Sequence, residues 1–350
     1  MATAHRRVNS LDRIKINGVW LSEEQEVREG VANAFQQLLS ENSDWKADIE
    51  GLHLKQISQQ KAELLELLFP ESEVLAGLMD MNGDKALGSD GFTVAFWQSC
   101  RDFVKEEILD MFKEFHEQSS FIRSLNNMFL VFLLKKRGAE DLGDYRPIGL
   151  LGGLYKLLAK VLASRLKKVI GKVVSPRSEC VCFAKNGVWA EVAGMDVELY
   201  IYSQVFSFGE RSTSRVLPSS KGLRQGDPLS PYLFVMGMEV LSALIRRAIE
   251  GDFISGCNIW RGRRQTVNIS HLLFADDTVV FCEAKKEYIT HLSWILFWFE
   301  AASGLRINLA KSEILPVGEV EEVDEMAVEL GCRVGQLPAV YLGLPFGGAK

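Results

Sequence analysis

The sequence predicts an α+β protein, with helices in its first half and antiparallel strands in its second. Apolar residues recur at helical spacing in the first half, for example at Val27, Val31, Phe35 and Leu38. In the second half, two strand-like runs, Thr266 to Phe274 and Thr278 to Glu283, flank a pair of aspartates. The composition, 47% hydrophobic and 25% charged over 350 residues, excludes a disordered or fibrous chain.

The first predicted helix follows a tail of residues 1–21 and begins with a capping box of Ser22 and Gln25. A second, polar helix is predicted at about residues 57–68. Ser72 is predicted to cap a third helix, which buries Val74, Leu75, Leu78 and Met79. An exposed loop rich in glycine and small polar residues is predicted at 82–92, and helix resumes at about Phe103.

A short, continuously apolar run from Met128 to Leu134 predicts a buried strand that ends in three basic residues. The segment from Asp144 to Ile148 is predicted to turn the chain into a helix. That helix, from about Gly153 to Ile170, carries a basic polar face.

The charge is distributed unevenly along the chain, although the net charge is −6. Residues 21–120 carry 21 acidic and 8 basic residues, whereas residues 121–175 carry 11 basic and 3 acidic residues. A nucleic-acid-binding surface and an ordinary solvated helix face both account for such a basic segment.

Two classes of protein are excluded by what the sequence lacks. No apolar run approaches the roughly 20 residues of a membrane-spanning helix, and the first 17 residues lack the apolar core of a secretory signal. We therefore expect an intracellular protein with no membrane partner. The six cysteines form no C-x-x-C pair, which argues against a structural zinc site or a disulfide framework.

From about Ser175 to Leu217 the sequence shows no clear period, apart from a strand-like run at Cys180 to Phe183. Order returns with a glycine- and proline-containing loop at residues 222–231, which leads into a long helix from Pro231 to about Glu250. That helix is predicted to pack on the neighbouring sheet. An aromatic-rich helix around Trp294 and a terminal strand from Tyr341 to Pro345 follow.

The aspartate pair, Asp276 and Asp277, is the feature with most chemical content. Aspartate is a poor strand former, so two in succession between apolar strands favour a nearby cation. A divalent metal would serve, but adjacent residues of an extended chain point to opposite sides. A two-metal site would need another carboxylate from a neighbouring strand. An ordinary polar hairpin tip remains the alternative.

Six motifs in order resemble those of the reverse transcriptases of LINE-type (non-long-terminal-repeat) retrotransposons, in particular those of plants. The first three are Lys85 to Phe92, Asp144 to Ile148, and the Gln225-Gly226 loop. The Asp276-Asp277 hairpin, the segment from Ser303 to Ser312, and Tyr341 to Pro345 complete the series. Together they cover nearly the whole chain.

The resemblance implies a right-hand polymerase: fingers at residues 22–175, and a palm with an antiparallel sheet backed by helices at 222–350. It implies that Asp276 and Asp277 are catalytic and bind two Mg²⁺ or Mn²⁺ ions. The partners implied are an RNA template, a DNA primer and deoxynucleotide triphosphates.

The same resemblance implies roles for further residues. Arg146 would hold the triphosphate, Gln225 and Gly226 would pack under the nascent base pair, and Lys311 would lie near the leaving pyrophosphate. Template and primer would contact Lys135, Lys136, Lys156, Lys160, Leu342 and Gly343. From the residues alone, Arg146 is equally a surface cation, Gln225-Gly226 a turn before a helix, and Lys311 a solvated lysine.

Several departures from the family pattern argue against activity. Leu87 and Ser89 replace prolines, and Leu133-Leu134 stands where Ile-Pro is expected. In the family an endonuclease domain precedes the polymerase and a thumb follows the palm, and we expect both to be absent here. Only 45 residues separate Pro176 from Gly222, too few for the palm strand and helix that carry the first catalytic aspartate. Asp196 resembles that aspartate poorly.

We therefore expect a degraded segment at residues 176–221, produced by a deletion and a local frameshift. The sequence predicts a disabled reverse transcriptase. A non-catalytic nucleic-acid-binding remnant is the alternative, and an unrelated metal-dependent phosphohydrolase is a third hypothesis. The third would require a further carboxylate or histidine cluster, which the sequence does not offer near Asp276.

Overall fold

The computed structural model describes residues 13–40, 47–49, 51–54, 57–118, 121–173, 203–207, 216–219, 222–261, 265–341 and 344–346. It is an α+β structure that divides into two compact units. The first unit is drawn from residues 1–42, 57–172 and 183–234, and the second from 43–56, 173–182 and 235–350.

The first unit opens with a small hairpin and contains six helices among its described residues. Strands β1 (Ile14–Ile16) and β2 (Val19–Leu21) pair antiparallel. The helices are α1 (Glu24–Leu39), α2 (Gln59–Leu65), α3 (Glu71–Met79), α4 (Val94–Ser99), α5 (Arg101–Gln118) and α6 (Gly153–Val173). One apolar core joins them; its largest fully buried side chains include Tyr155, Phe112 and Phe115.

A four-stranded sheet completes the first unit, in the order β4 (Tyr145–Leu151), β3 (Met128–Leu134), β5 (Ser203–Ser207) and β6 (Val216–Ser219). Strand β3 pairs antiparallel with β4 and parallel with β5, and β6 pairs antiparallel with β5. Strands β5 and β6 lie in the segment where the sequence shows no period. Strand β5 obtains backbone hydrogen bonds from β3, and β6 obtains them from β5, which the local pattern does not reveal.

Strand β4 corrects the prediction that residues 144–148 only turn the chain into a helix. A short 3₁₀ helix at Leu142–Asp144 makes the turn, and seven residues of strand follow. Strand β3 has the predicted bounds but is not buried on both faces. Met128, Leu130 and Phe132 are buried, whereas Phe129 and Leu133 on the other face are exposed. The alternation is typical of an antiparallel pair with one solvated face.

Both predicted helix caps are wrong. Helix α1 begins at Glu24 after Glu23, with no side-chain capping bond, and helix α3 begins at Glu71 after Pro70. The buried faces are also narrower than predicted: Val27, Val31 and Phe35 are buried, but Leu38 is exposed. In α3, Val74 and Leu78 are buried, whereas Leu75 and Met79 are exposed. Part of the predicted N-terminal tail forms the β1–β2 hairpin.

The second unit is built around the long helix α7 (Ser230–Glu250), which begins one residue before the predicted start. Its strands pair two by two: β7 (Cys257–Arg261) with β8 (Gln265–Ile269), and β9 (His271–Phe274) with β10 (Asp277–Val280). Helix α8 (Lys286–Ser303) ends at Gly304, whose φ of 69° provides a left-handed cap. A parallel pair, β11 (Glu313–Ile314) and β12 (Arg333–Val334), flanks helix α9 (Val323–Leu330).

Two predicted strands of the second unit are divided. The run predicted as one strand from Thr266 to Phe274 breaks at Ser270 into β8 and β9, which belong to different sheets. The predicted terminal strand is a hairpin of β13 (Ala339–Tyr341) and β14 (Leu344–Phe346). The strand predicted at Cys180 to Phe183 lies outside the described residues. Within the described ranges, no helix combines the length and hydropathy needed to cross a membrane.

Candidate functional site

Strand β4 is the meeting point of three of the sequence motifs. The 82–92 loop reaches it through Gly88 and Asp90. An ideal Cβ on Gly88 would lie 2.0 Å from the carbonyl oxygen of Leu151, so only glycine fits this contact. Asp90 Oδ2 accepts a hydrogen bond of 2.5 Å from the backbone N–H of Gly153, at the start of helix α6. A carboxylate at a helix N-terminus is electrostatically favourable.

The Gln225-Gly226 loop, which follows β4 in the sequence, contacts the same strand. The backbone N–H of Gly149 donates a hydrogen bond of 3.0 Å to the carbonyl oxygen of Gln225. Gly226 has a φ of 105°, which side chains disfavour, and an ideal Cβ there would lie 3.3 Å from the carbonyl oxygen of Gly149. The glycine therefore permits the close approach of loop and strand.

Asp227 anchors this loop to helix α6. Its buried carboxylate accepts a hydrogen bond of 2.6 Å from the hydroxyl of Tyr155 and one of 2.8 Å from the backbone N–H of Leu229. The guanidinium of Arg224 lies 5.0 Å from the centroid of the Tyr155 ring. Neither Tyr155 nor Asp227 was predicted as a site residue, because a contact between residues 72 positions apart leaves no local signal.

Arg146 is exposed on β4, three residues before Gly149 and paired across the sheet with Leu133. The solvated face around it carries Phe129, Val131 and Leu133 of strand β3, all more than a third exposed. Arg146, Gln225 and Gly226 thus belong to one unit and to two directly contacting segments. An exposed guanidinium there can bind a phosphate through paired hydrogen bonds.

The four lysines predicted to bind template each make a contact within the protein. Lys135 Nζ donates to the carbonyl oxygen of Gly143 at 2.7 Å, and Lys136 forms an ion pair of 2.7 Å with Asp144, which raises the pKa of the lysine. Lys160 forms an ion pair of 2.6 Å with Asp80.

Lys156 differs from the other three lysines. Its Nζ donates to the carbonyl oxygen of Ala86 at 3.3 Å, and burial lowers the pKa of its ammonium, opposed by the nearby charge of Asp90. Two of the four positive charges, those of Lys136 and Lys160, are therefore partly neutralised in the free protein, whereas Lys135 and Lys156 have only carbonyl partners among these contacts.

In the second unit, the predicted hairpin of the aspartate pair is present. Asp276 lies in the turn and Asp277 is the first residue of β10, paired with Phe274 of β9. The turn requires Ala275 to adopt a φ of 51°. Both aspartates are exposed. Lys311, also exposed, ends a 3₁₀ helix at Leu309–Lys311 in this unit. Leu342 and Gly343 lie outside the described residues.

The hairpin is tied to helix α7 by a buried histidine that the sequence analysis missed. His271 Nε2 lies 3.0 Å from the hydroxyl of Ser242 on α7, and its Nδ1 lies 2.9 Å from the hydroxyl of Ser270. Burial, together with the charge of Arg246, lowers the pKa of His271 to about 4. The imidazole is therefore neutral at physiological pH, with both nitrogens next to hydroxyls.

The donor set at the hairpin fits a divalent cation only in part. Carboxylate oxygens are the ligands that Mg²⁺ and Mn²⁺ prefer. A clamp around two ions needs a further carboxylate beside Asp276 and Asp277. Among the residues that the structure describes, no group of three or more histidine, cysteine, aspartate or glutamate side chains could hold a metal ion. Asp196 lies outside those residues.

Comparison with known proteins relates part of the chain to one family model and to two uncharacterized relatives. Residues 189–346 match the family model described as reverse transcriptase (RNA-dependent DNA polymerase). Over 87% of its length, the chain is 23% identical to the uncharacterized 149 kDa protein of transposon TX1 from Xenopus laevis. A stretch of 59 residues is 56% identical to the uncharacterized mitochondrial protein AtMg01250 of Arabidopsis thaliana and makes up 17% of this chain. The alignments span 26% of the transposon protein and 46% of the mitochondrial protein.

Proposed function

We propose that this chain, which belongs to the reverse transcriptases of LINE-type retrotransposons, binds nucleic acid but does not synthesise DNA. Reverse transcriptases use divalent metal ions for nucleotidyl transfer, and their substrates are a template, a primer and nucleoside triphosphates. In this proposal residues 22–175 form the fingers and residues 222–350 the palm. The first unit keeps the binding surface, and the described residues around Asp276 and Asp277 offer no further carboxylate for a catalytic centre.

We infer a loss of chain before the Gln225-Gly226 loop, and this inference carries the proposal. The alignment with the transposon protein runs over 355 positions but includes only 87% of a 350-residue chain. About 50 aligned positions therefore have no residue here. The short spacing of 45 residues between Pro176 and Gly222 is where the sequence places this loss. A palm strand with its aspartate is the element expected there.

The chemistry explains why that loss matters. In two-metal catalysis, carboxylates bridge two ions so that the attacking and leaving oxygens are stabilised together. Asp276 and Asp277 supply one side of such a clamp. The described residues offer no further carboxylate for the second side, and we assign no catalytic step to this chain.

Binding has separate requirements, which the first unit still meets. Arg146 is exposed on β4, the strand whose Gly149 bonds to Gln225, and can there contact a triphosphate or a backbone phosphate. Lys135 and Lys156 donate to the backbone carbonyl oxygens of Gly143 and Ala86 and add positive charge to the same unit. Phosphate contacts of this kind depend on charge and not on catalysis.

Primer extension on an RNA template tests the proposal. Three purified proteins are compared in Mg²⁺ and in Mn²⁺: this chain, its Asp276→Ala variant, and a chain with a family-like Asp-Ile-Glu-Lys-Ala-Tyr-Asp strand and helix restored before Gly222. We expect no extension by the first two and measurable extension by the third. RNA binding, measured in parallel, should be similar in all three.

Extension by the unaltered chain that is abolished in Asp276→Ala would refute the proposed inactivity. Asp196→Ala would then show whether Asp196 supplies the further carboxylate. Absence of RNA binding in all three proteins would refute the proposed binding role.

A further inference from the structure

A groove between α2, α3 and α6 in the first unit has a volume of about 1150 Å³. Three of its lining residues, Leu64, Leu67 and Leu68, are 61%, 56% and 59% exposed. We call this feature the leucine groove. Clustered exposure of large aliphatic side chains on a folded protein marks a surface that contacts another molecule.

The backbone that carries Leu67 and Leu68 is held by Arg165, which is only 5% exposed. Its guanidinium donates to the carbonyl oxygens of Leu65, Leu67 and Leu68 at 2.8, 2.6 and 3.1 Å. It also forms an ion pair of 2.7 Å with Glu73. The turn that follows α2 is thereby fixed to α6 and α3, so its leucine side chains are held at the surface.

The floor of the groove is formed where α3 and α6 touch. An ideal Cβ on Gly77 would lie 2.7 Å from Val161 Cγ2, so the two helices approach as closely as glycine allows. No aromatic side chain is among the lining residues in the described part of the chain. A floor of aliphatic side chains gives nucleic acid bases nothing to stack on.

The charges in the groove do not balance. Glu73 is paired with Arg165, and Asp80 with Lys160. The remaining ionisable lining residues are Lys61 and Lys168, and neither ammonium pairs with a carboxylate of a described residue. The rim of the leucine groove is therefore positive.

We propose that the leucine groove binds an acidic amphipathic α-helix of a partner protein. Such a helix presents apolar residues at positions i, i+3, i+4 and i+7 to an apolar groove. Acidic residues beside that stripe would face Lys61 and Lys168. This interaction is independent of the polymerase chemistry and of the nucleic-acid surface around Arg146.

A synthetic probe tests the proposal on the full chain. The probe is a fluorescein-labelled helical peptide of about four turns with leucines at that spacing and glutamates on both flanks. Its matched control has lysines in place of the glutamates. We expect saturable binding of the acidic peptide by fluorescence anisotropy, and at least tenfold weaker binding of the basic one.

Four variants locate the binding. Leu68→Gln and Lys168→Glu change exposed lining residues and should each weaken binding of the acidic peptide about tenfold. Leu38→Gln changes a leucine that is 59% exposed on α1, and Lys113→Glu changes an exposed lysine of α5 that does not line the groove. These two controls should bind as the unaltered chain does.

Several results would overturn the proposal. They are the absence of saturable binding, equal binding of the basic peptide, and equal weakening by the control variants. Competition by an RNA oligonucleotide that Leu68→Gln abolishes would assign the groove to nucleic acid instead. A dimer on gel filtration that Leu68→Gln dissociates would assign it to a second copy of this chain.

Discussion

Gly88 shows at a single residue why the 82–92 loop is rich in glycine. An ideal Cβ there would lie 2.0 Å from the oxygen and 2.2 Å from the carbon of the Leu151 carbonyl, both of which belong to the backbone of β4. We therefore expect Gly88→Ala to destabilise the protein by about 1–3 kcal/mol, the usual range for overpacking. Urea unfolding followed by circular dichroism measures the change.

Gly143→Ala is the matched control. Its added Cβ would meet only the Asp141 carboxylate, at 3.3 Å, and the substitution should change the free energy of unfolding by much less. Equal destabilisation by the two substitutions would show that the loop does not depend on the contact between Gly88 and Leu151.

His271 makes the stability of the protein depend on pH. Its pKa is about 4 in the folded protein, against 6.5 ordinarily, so the unfolded chain binds more protons between these values. The free energy of unfolding should therefore fall as the pH decreases from 6.5 to 4, by about 3 kcal/mol from this residue. Urea unfolding at intervals across that range measures the fall.

His271→Asn should remove this part of the pH dependence, since asparagine does not titrate. His53→Asn, which changes an exposed histidine of the same unit, should leave it in place. If the two variants follow the same pH profile as the unaltered protein, His271 is not the group responsible.

At the scale of elements, the 222–231 loop is attached to helix α6 through Asp227 and Tyr155. Removing the hydroxyl in Tyr155→Phe takes one donor from a buried carboxylate, which costs about 1–3 kcal/mol. We expect faster hydrogen exchange at residues 222–229, because the loop loses a contact that holds it on the strand. Exchange followed by mass spectrometry gives the rates.

Tyr288→Phe, in the second unit, serves as control and should leave exchange at 222–229 unchanged. If Tyr155→Phe accelerates exchange throughout α6 to the same extent as in the loop, the hydroxyl stabilises the unit in general. The proposal that the Tyr155 hydroxyl specifically positions the loop would then be wrong.

At the scale of the whole molecule, the net charge of −6 conceals a basic segment that we expect to bind RNA. Each phosphate contact with single-stranded RNA contributes about −0.7 to the slope of log K against log salt concentration. Replacing Lys135, Lys136, Lys156 and Lys160 together with alanine should therefore reduce the magnitude of this slope by up to about 3. Fluorescence anisotropy with a labelled RNA between low and moderate salt measures the slope.

The control replaces four other lysines, Lys105, Lys113, Lys285 and Lys286, and should leave the slope nearly unchanged. Because Lys136 and Lys160 are already paired with Asp144 and Asp80, we expect Lys135 and Lys156 to account for most of the effect. A slope unaffected by the first set would identify the basic segment as a solvated face.

Elements whose pattern is local can be predicted from the amino-acid sequence alone. Apolar periodicity and turn residues act over a few positions, so they predict such elements correctly. Examples are helix α6 from Gly153, helix α7 up to Glu250, strand β3 and the hairpin of Asp276. The motifs around Gly88, Arg146 and Gln225 could be identified by their resemblance to reverse transcriptase motifs. Nothing in the sequence pattern placed them next to one another.

How these motifs meet depends on contacts between segments that are distant in the chain. Strand β4 contains a proline and reads as a turn, yet pairing with β3 makes it a strand and the contact point for Gly88 and Gln225. Three hydrogen bonds likewise join residues far apart in the chain. They link Tyr155 to Asp227, His271 to Ser242, and Arg165 to Leu67. Such contacts depend on the packing of distant segments, which the local sequence pattern does not encode.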